Sequence, residues 1–367
     1  MRIAGSRRLP REEIRAQVIG FLLRGCHFCL VYGVVLLLLP CFLPTAVSAQ
    51  AATICNPCIY VANQESDDVT VIDGATNRVI LTIPAGDTPQ FLAVNPSGTR
   101  VYVSTHAGVQ AGLVKVVDTS NNRIVADIPV GPNPTGLAVH PTLPRLYVLN
   151  SGDNTMSVID TSKNSVMGAP VPVVASPFDV VVSADGKRLY ISGQNPRAIQ
   201  VLDTATHRQV GELISLGGAP AGLALDTKGS RLYAADFVNS KIAVIDTAKL
   251  VVADTAIAGS GAIALALHPS GRRLYSANFG KGKGNTLSVL DTANNKIVAT
   301  ITVGTSPHGL AINNTGNTLY VTNQKSHNVS VIDLSKNQVV TAIPVGASPV
   351  GIAVVYAGQT TPPRGNR

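Results

Sequence analysis

The sequence predicts an all-β fold: a seven-bladed propeller of four-stranded antiparallel blades. Two observations carry this. A Tyr recurs as Tyr60, Tyr102, Tyr147, Tyr190, Tyr233, Tyr275 and Tyr320. An Asp recurs as Asp73, Asp118, Asp160, Asp203, Asp246, Asp291 and Asp333, at intervals of 42 to 45 residues. That period matches the roughly 40–45 residues of a four-stranded propeller blade. Each repeat also divides into four short apolar, β-branched runs separated by Gly, Asn, Asp, Ser and Pro, the pattern of strands and tight turns. In the last full repeat the runs are Gly309–Ile312, Leu319–Thr322, Val329–Ile332 and Val339–Val345.

Residues 1–49 stand outside the repeat. Six Arg face only Glu12 and Glu13 there, ahead of an apolar run from Cys26 to Leu43 and the small residues Ala46-Val47-Ser48-Ala49. This reads as a secretory signal peptide cleaved after Ala49, leaving no membrane span and a periplasmic or secreted protein. An uncleaved anchor is the alternative, since the run approaches the ~18-residue lower limit for a span. The leader also explains much of the charge. The whole chain has 29 basic and 21 acidic residues, formally +8. Without the leader the balance is only slightly basic, so the charge is no nucleic-acid signature by itself. Only Glu65 and Glu212 remain as Glu, which argues against carboxylate-rich catalysis.

An arm, residues 50–58, holds Cys55 and Cys58 in Cys-Asn-Pro-Cys. An exported chain tends to oxidise two thiols this close, so a structural disulfide is expected. A redox dithiol is the alternative. Covalent c-type haem requires His after the second Cys, and Ile59 stands there.

Residues 59–356 form the ring. The chain enters at Tyr60, in what is the second strand of the other repeats. The first-strand pattern appears once more at the end, as Pro349-Val350-Gly351-Ile352-Ala353-Val354. The last segment should therefore complete blade one and close the ring, removing an exposed sheet edge. Residues 357–367 are Gly/Pro-rich and expected to be disordered.

The segments YVANQ, YVLNS and YVTNQ, each followed by a strand ending in V-I-D, resemble the YVTN-repeat β-propeller family over about residues 59 to 356. The resemblance implies the fold. It also brings in lactonase-like propellers and the haem-carrying propellers of nitrite reductases as relatives. Fold alone does not fix activity.

A catalytic group is needed once, so residues present in every repeat are best explained by the blade. The Asp residues suit Asx-type hairpin turns, and the Tyr rings bury area. Deviations carry the functional signal. The loop into each first strand and the loop after each second strand share one face, the mouth. There, blades four to seven offer Arg197, Lys241, Lys281, Lys283 and Lys325. Blades four to six add Phe178, Phe237 and Phe279. Blade one offers Glu65, Asp67, Asp68 and Asp87. The Asn set of Y-V-x-N and the residue after each Pro vary between blades on this face. Loops of blades two and six, HAGVQAG and FGKGKGN, carry three extra residues. Bases interleaved with aromatics suit an anion, a sugar acid or single-stranded nucleic acid. Solvated lysines with rings packed into a neighbouring blade are the plain alternative.

His106, His308 and His327 also belong to the mouth, while His140, His207 and His268 lie on the opposite face. No cofactor is expected; a haem or metal held through His106, His308 and His327 would require their convergence. A lactonase-like site would need a mouth-face acid/base set, and only Asp236, His106, His308 and Asn residues offer one. No Walker loop, nucleophile elbow or His-Glu zinc motif occurs. The sequence therefore favours an exported, monomeric, non-enzymatic scaffold that binds a protein or small molecule at the mouth.

Overall fold

The computed structural model describes residues 55–106 and 111–356. The expectations for residues 1–49, most of the arm and the tail 357–367 lie outside the described residues. Among the described residues no helix is long and apolar enough to cross a membrane.

Seven antiparallel sheets are arranged as blades. Blade one is ordered Pro349–Val355, Cys58–Asn63, Asp68–Asp73, Arg78–Pro84, so its first strand is the last strand of the chain. Cys58 pairs with Val355 and Tyr60 with Ala353 across that closure. The second strand starts at Cys58, so the end of the arm is already in the sheet. Blades two, five, six and seven repeat the plan with long fourth strands: Arg123–Val130, Val251–Ile257, Lys296–Thr302 and Gln338–Pro344.

Blades three and four depart from it. The outer edge of blade three is split into Ser165–Val166 and Val171–Pro172, and blade four keeps only Ile214–Ser215 there. Pro170 and Pro172 lack the N–H that a ladder needs. Around blade four, Gly211 and Gly217 take left-handed φ values of 71° and 70°, which turns the chain away from the strand.

Each third-to-fourth-strand hairpin is built alike. The Asp side chain accepts from the backbone N–H two residues on: Ala75 N to Asp73 Oδ1 is 3.1 Å, Ser162 N to Asp160 Oδ1 is 2.9 Å, and Ser335 N to Asp333 Oδ1 is 2.9 Å. This is the Asx turn expected. In blade seven the Ser335 hydroxyl also donates to Asp333, and these bonds hold its carboxyl below the usual range. The turn's left-handed position is Asn in five blades, including Asn77 and Asn122, but His207 in blade four and Leu250 in blade five.

Blades are joined by the repeated Tyr, all buried. Tyr60 donates its hydroxyl to Asn122 Oδ1 in the next blade's hairpin, 2.5 Å away. Tyr147 meets His207 edge-on in the equivalent joint, centroids 6.4 Å apart. Arg188 and Arg231 reach the next blade's Thr247 and Thr292 carbonyls, at 2.7 and 2.8 Å. His140 and His268 accept a similar structural role, bonding the Gly186 and Gly316 carbonyls.

The first strands wall the central channel. Their pairing shifts register just after the Pro, between Pro134 and Leu137, Pro177 and Val180, and Pro307 and Leu310. A bulge re-aims the side chain it contains. Here it places the residue after each Pro at the channel mouth.

Candidate functional site

The two loop sets identified in the sequence do share one face. Backbone bonds tie them: Gln64 N to Ser348 O, Phe237 N to Ala219 O, Phe279 N to Gly261 O and Gln324 N to Ser306 O, at 2.9 to 3.0 Å. The Asn set of this face is not displayed to a ligand. Asn63, Asn150, Asn278 and Asn323 are buried. Their amides donate to third-strand hydroxyls, Thr70, Ser157, Ser288 and Ser330, at 2.7 to 3.0 Å. Burial with a partner is the rule for such groups, and it makes these Asn loop clamps.

The channel narrows to a cavity of about 60 Å³, lined by Phe91, Phe178, Asp179, Ile263, His308 and Val350 among others. Its rim is divided. Around blades four to seven it is aromatic. Phe237 and Phe279 lie tilted at 6.2 Å, and Phe279 meets His308 edge-on at 6.0 Å. Phe178 meets Phe91 edge-on at 5.6 Å. The three mouth Phe are partly buried and packed on the core of blades five to seven. Their rings therefore belong to the wall as well as to the rim, the packing into neighbouring blades that the plain alternative described. From blade seven round to blade two the rim is built of amides: Gln324 donates to Gln64 at 3.3 Å, and Gln90 lies 2.8 Å from His106 Nε2.

The three mouth His do not gather. His308 faces the channel, and its crowded, dehydrated surroundings push its imidazole down to about 4. His106 is held at the Gln90 amide, and burial lowers it too. His327 Nδ1 accepts from the Ser348 N–H at 3.0 Å. Each of the three is thus engaged by a different neighbour. No group of three or more His, Cys, Asp or Glu suited to a metal ion exists among the described residues. Asp236 is also set apart: it is 3% exposed and holds the backbone and side chain of Asn239 at 3.1 and 2.8 Å. No acid/base set is thus assembled from Asp236, His106 and His308.

Sequence reasoning passed over Asp179. It lines the channel in blade four, where blades three, five, seven and one have Gly136, Gly222, Gly309 and Gly351. Its carboxylate accepts from Val180 N at 2.8 Å and from Leu223 N of blade five at 2.9 Å. It is a joint between two blades. Its signal was the one used for other residues, a departure from the repeat; blades two and six depart there too, with Phe91 and Ala264, but Asp179 alone is charged.

The basic residues are exposed, as loop lysines are. Arg197 and Lys241 open the third strands of blades four and five. Lys281 and Lys283 belong to the blade-six loop, where a one-turn 3-10 helix spans Gly280–Gly282 and Lys281 takes φ 54°. The amides of Gly282, Lys283 and Gly284 bond carbonyls of the same loop, so this Gly-rich turn is no phosphate cradle. Lys325 of blade seven lies over it: a Cβ on Gly282 would come within 3.0 Å of Nζ. None of these five bases has an anionic partner among the described residues. The ion pairs lie elsewhere. Arg100–Asp118, Lys163–Asp160, Arg273–Asp291 and Lys336–Asp333 are on the opposite face, and Lys115–Asp127 is on the outer sheet of blade two. The exposed acidic mouth residues, Glu65, Asp67 and Asp87 of blade one and Asp153 of blade three, lie on the other half, whereas Asp179 and Asp236 of blades four and five are bonded within the wall. Cys55 and Cys58 are joined as a buried disulfide remote from this face.

Comparison with known proteins adds a family likeness. Residues 245–342 match the family model described as lactonase, 7-bladed beta-propeller. The chain is similar to this family over that segment. No curated protein matches. Solved structures share the fold. A putative 6-phosphogluconolactonase from Bacteroides fragilis superposes with a TM-score of 0.68 at 16% identity, covering 83% of this chain and 99% of that one. Hydrazine synthase of Kuenenia stuttgartiensis gives 0.64 at 20%, covering 73% and 92%. The dihydro-heme d1 dehydrogenase NirN gives 0.64 at 17%, covering 80% and 74%. At such identities the likeness is one of fold.

Proposed function

We propose that the protein is an exported, non-enzymatic scaffold that binds an anionic ligand or protein partner on the mouth face of blades four to seven. One observation supports this most. Arg197, Lys241, Lys281, Lys283 and Lys325 are exposed in adjacent blades with no anionic partner among the described residues, on a half of the mouth whose carboxylates, Asp179 and Asp236, are bonded within the wall. Unpaired charge of one sign on a rigid rim attracts and orients a partner of the other sign. Three candidate acid or base groups of this face are instead engaged in structure: Asp236 with Asn239, Asp179 across blades, His327 with Ser348.

The test is native mass spectrometry and an absorption spectrum on protein purified from its own source, followed by the same for Lys281→Glu with Lys283→Glu. A bound anion or acidic protein lost in the double variant is the expected result. A ligand retained by the double variant would refute the reading.

A second reading is a lactonase-like hydrolase, favoured by the family match over residues 245–342. Proton release from a panel of sugar lactones at neutral pH separates the two. Turnover above the buffer rate, abolished by His308→Leu, would favour the enzyme.

A further inference from the structure

The mouth edge of blade five joins exposed apolar surface to the basic rim. Ile257, the last residue of the outer strand Val251–Ile257, is 78% exposed, the most of any large apolar side chain among the described residues. It pairs in register with Lys241. Val238, in the loop before Lys241, is 52% exposed. The two segments are bound together: Ala258 N donates to Ser240 O at 2.9 Å, and Gly261 N to Ser240 Oγ at 3.2 Å. So Val238, Lys241 and Ile257 occupy one edge. Arg197 of blade four stands on one side of it, and Lys281 and Lys283 of blade six on the other. The one acidic side chain of this loop, Asp236, is buried and bonded to Asn239.

We infer that this edge docks an acidic peptide segment of a partner protein, carrying a large aliphatic anchor between Asp and Glu residues. The inference rests on the scaffold reading and names its partner. An aliphatic side chain left four-fifths exposed is a cost in solution and a gain once covered. Surrounding cations recognise carboxylates and set the approach, while the apolar centre supplies the affinity that exposed charge pairs lack. A nucleic acid fits less well. Its bases need free aromatic faces, and here Phe237 is tilted against Phe279, which is edge-on to His308. A uronic polysaccharide would satisfy the lysines and leave Ile257 uncovered.

The experiment is fluorescence anisotropy at low salt with the full-length protein. The probe is a short fluorescein-labelled peptide of Asp and Glu around a central pair of Leu. Controls replace the Leu pair by Ser, or the acids by Asn and Gln; heparin and single-stranded DNA are the competitors. The Leu-centred acidic peptide should bind about tenfold more tightly than either control, the step expected for covering one aliphatic side chain. Ile257→Ser should weaken it about tenfold, and Lys241→Gln about two- to threefold. Val298→Ser, an equally apolar and 50% exposed position on the outer strand of blade six, should leave binding unchanged. Ile257 makes little buried contact, so its variant should melt with the wild type, and that melt is recorded alongside. Equal binding of the Leu and Ser peptides, an unaffected Ile257→Ser, or no peptide binding at all overturns the inference. If the peptide fails while heparin or DNA binds and loses affinity in Lys281→Glu with Lys283→Glu, the anchor falls and the mouth as an anion site stands. If neither class binds, both fall.

Discussion

His308 meets Phe279 edge to face across the joint of blades six and seven, ring centroids 6.0 Å apart and planes at 90°. The imidazole is fixed in a wall that disfavours its charged form, with a folded-state value of about 4 against an ordinary 6.5. Between those values the unfolded chain binds more protons than the folded one. Stability must therefore fall as pH drops from about 6.5 to about 4, and this group costs nothing further below that. The full effect is about 3 kcal/mol. Urea unfolding across this range should show a shallower pH slope for His308→Leu than for the wild type. Parallel slopes would contradict it.

Tyr60 and Asn122 form the hydrogen bond between blades one and two. Burial pushes the Tyr60 phenol up, so it donates at any accessible pH. Tyr60→Phe keeps the ring and strands a buried acceptor. The expected loss is about 1–2 kcal/mol, measured by equilibrium denaturation. A neutral Tyr60→Phe would show that the joint is held by packing alone.

Truncation before Pro349 removes the first strand of blade one, all seven residues of which are buried. It also exposes Ile59, Tyr60 and Val61, each fully buried now. The loss should exceed about 5 kcal/mol, a large part of a domain's stability. A truncated chain with the wild-type melting temperature would refute closure by this strand.

The Cys55–Cys58 bridge closes a very short loop. The chain-entropy estimate for so short a loop is about 2 kcal/mol. Thiol titration of native protein should detect neither Cys. Reductant should lower the melting temperature by only a few degrees. Collapse of the whole ring on reduction would show that the bridge does more than staple the first strand.

Much of this was legible in the sequence because repetition multiplies each local signal. One V-x-V-I-D-T could be any strand; seven variants of it at a regular spacing, five with Asn at the left-handed turn position, define a blade. The displaced strand at Pro349 showed the closure for the same reason. The irregular edges of blades three and four were marked by Pro170, Pro172 and Gly217, yet a two-residue strand leaves too little pattern to detect. The site was less legible. Loop position put Lys281 and Lys325 on one face, but whether Phe279 offered its ring to a ligand or to His308 depended on a contact between blades. Ile257 was readable as a departure, since it stands where the other long outer strands have Pro84, Pro129, Thr302 and Pro344, but its exposure was not. Asp179 was readable as a charged departure from the repeat, but its bond to Leu223 of the next blade depends on how the blades pack.

The pairing of Cys58 with Val355 also decides how the ring can be held. Cys58 begins a strand that runs toward the mouth, and Val355 ends one that runs away from it. Both described ends of the chain thus leave blade one on the side opposite the loops. A tether attached through either end, whether an anchor in a cell envelope or a tag on a sensor chip, would grip the rear of the disc and leave the lysine rim and Ile257 facing outward.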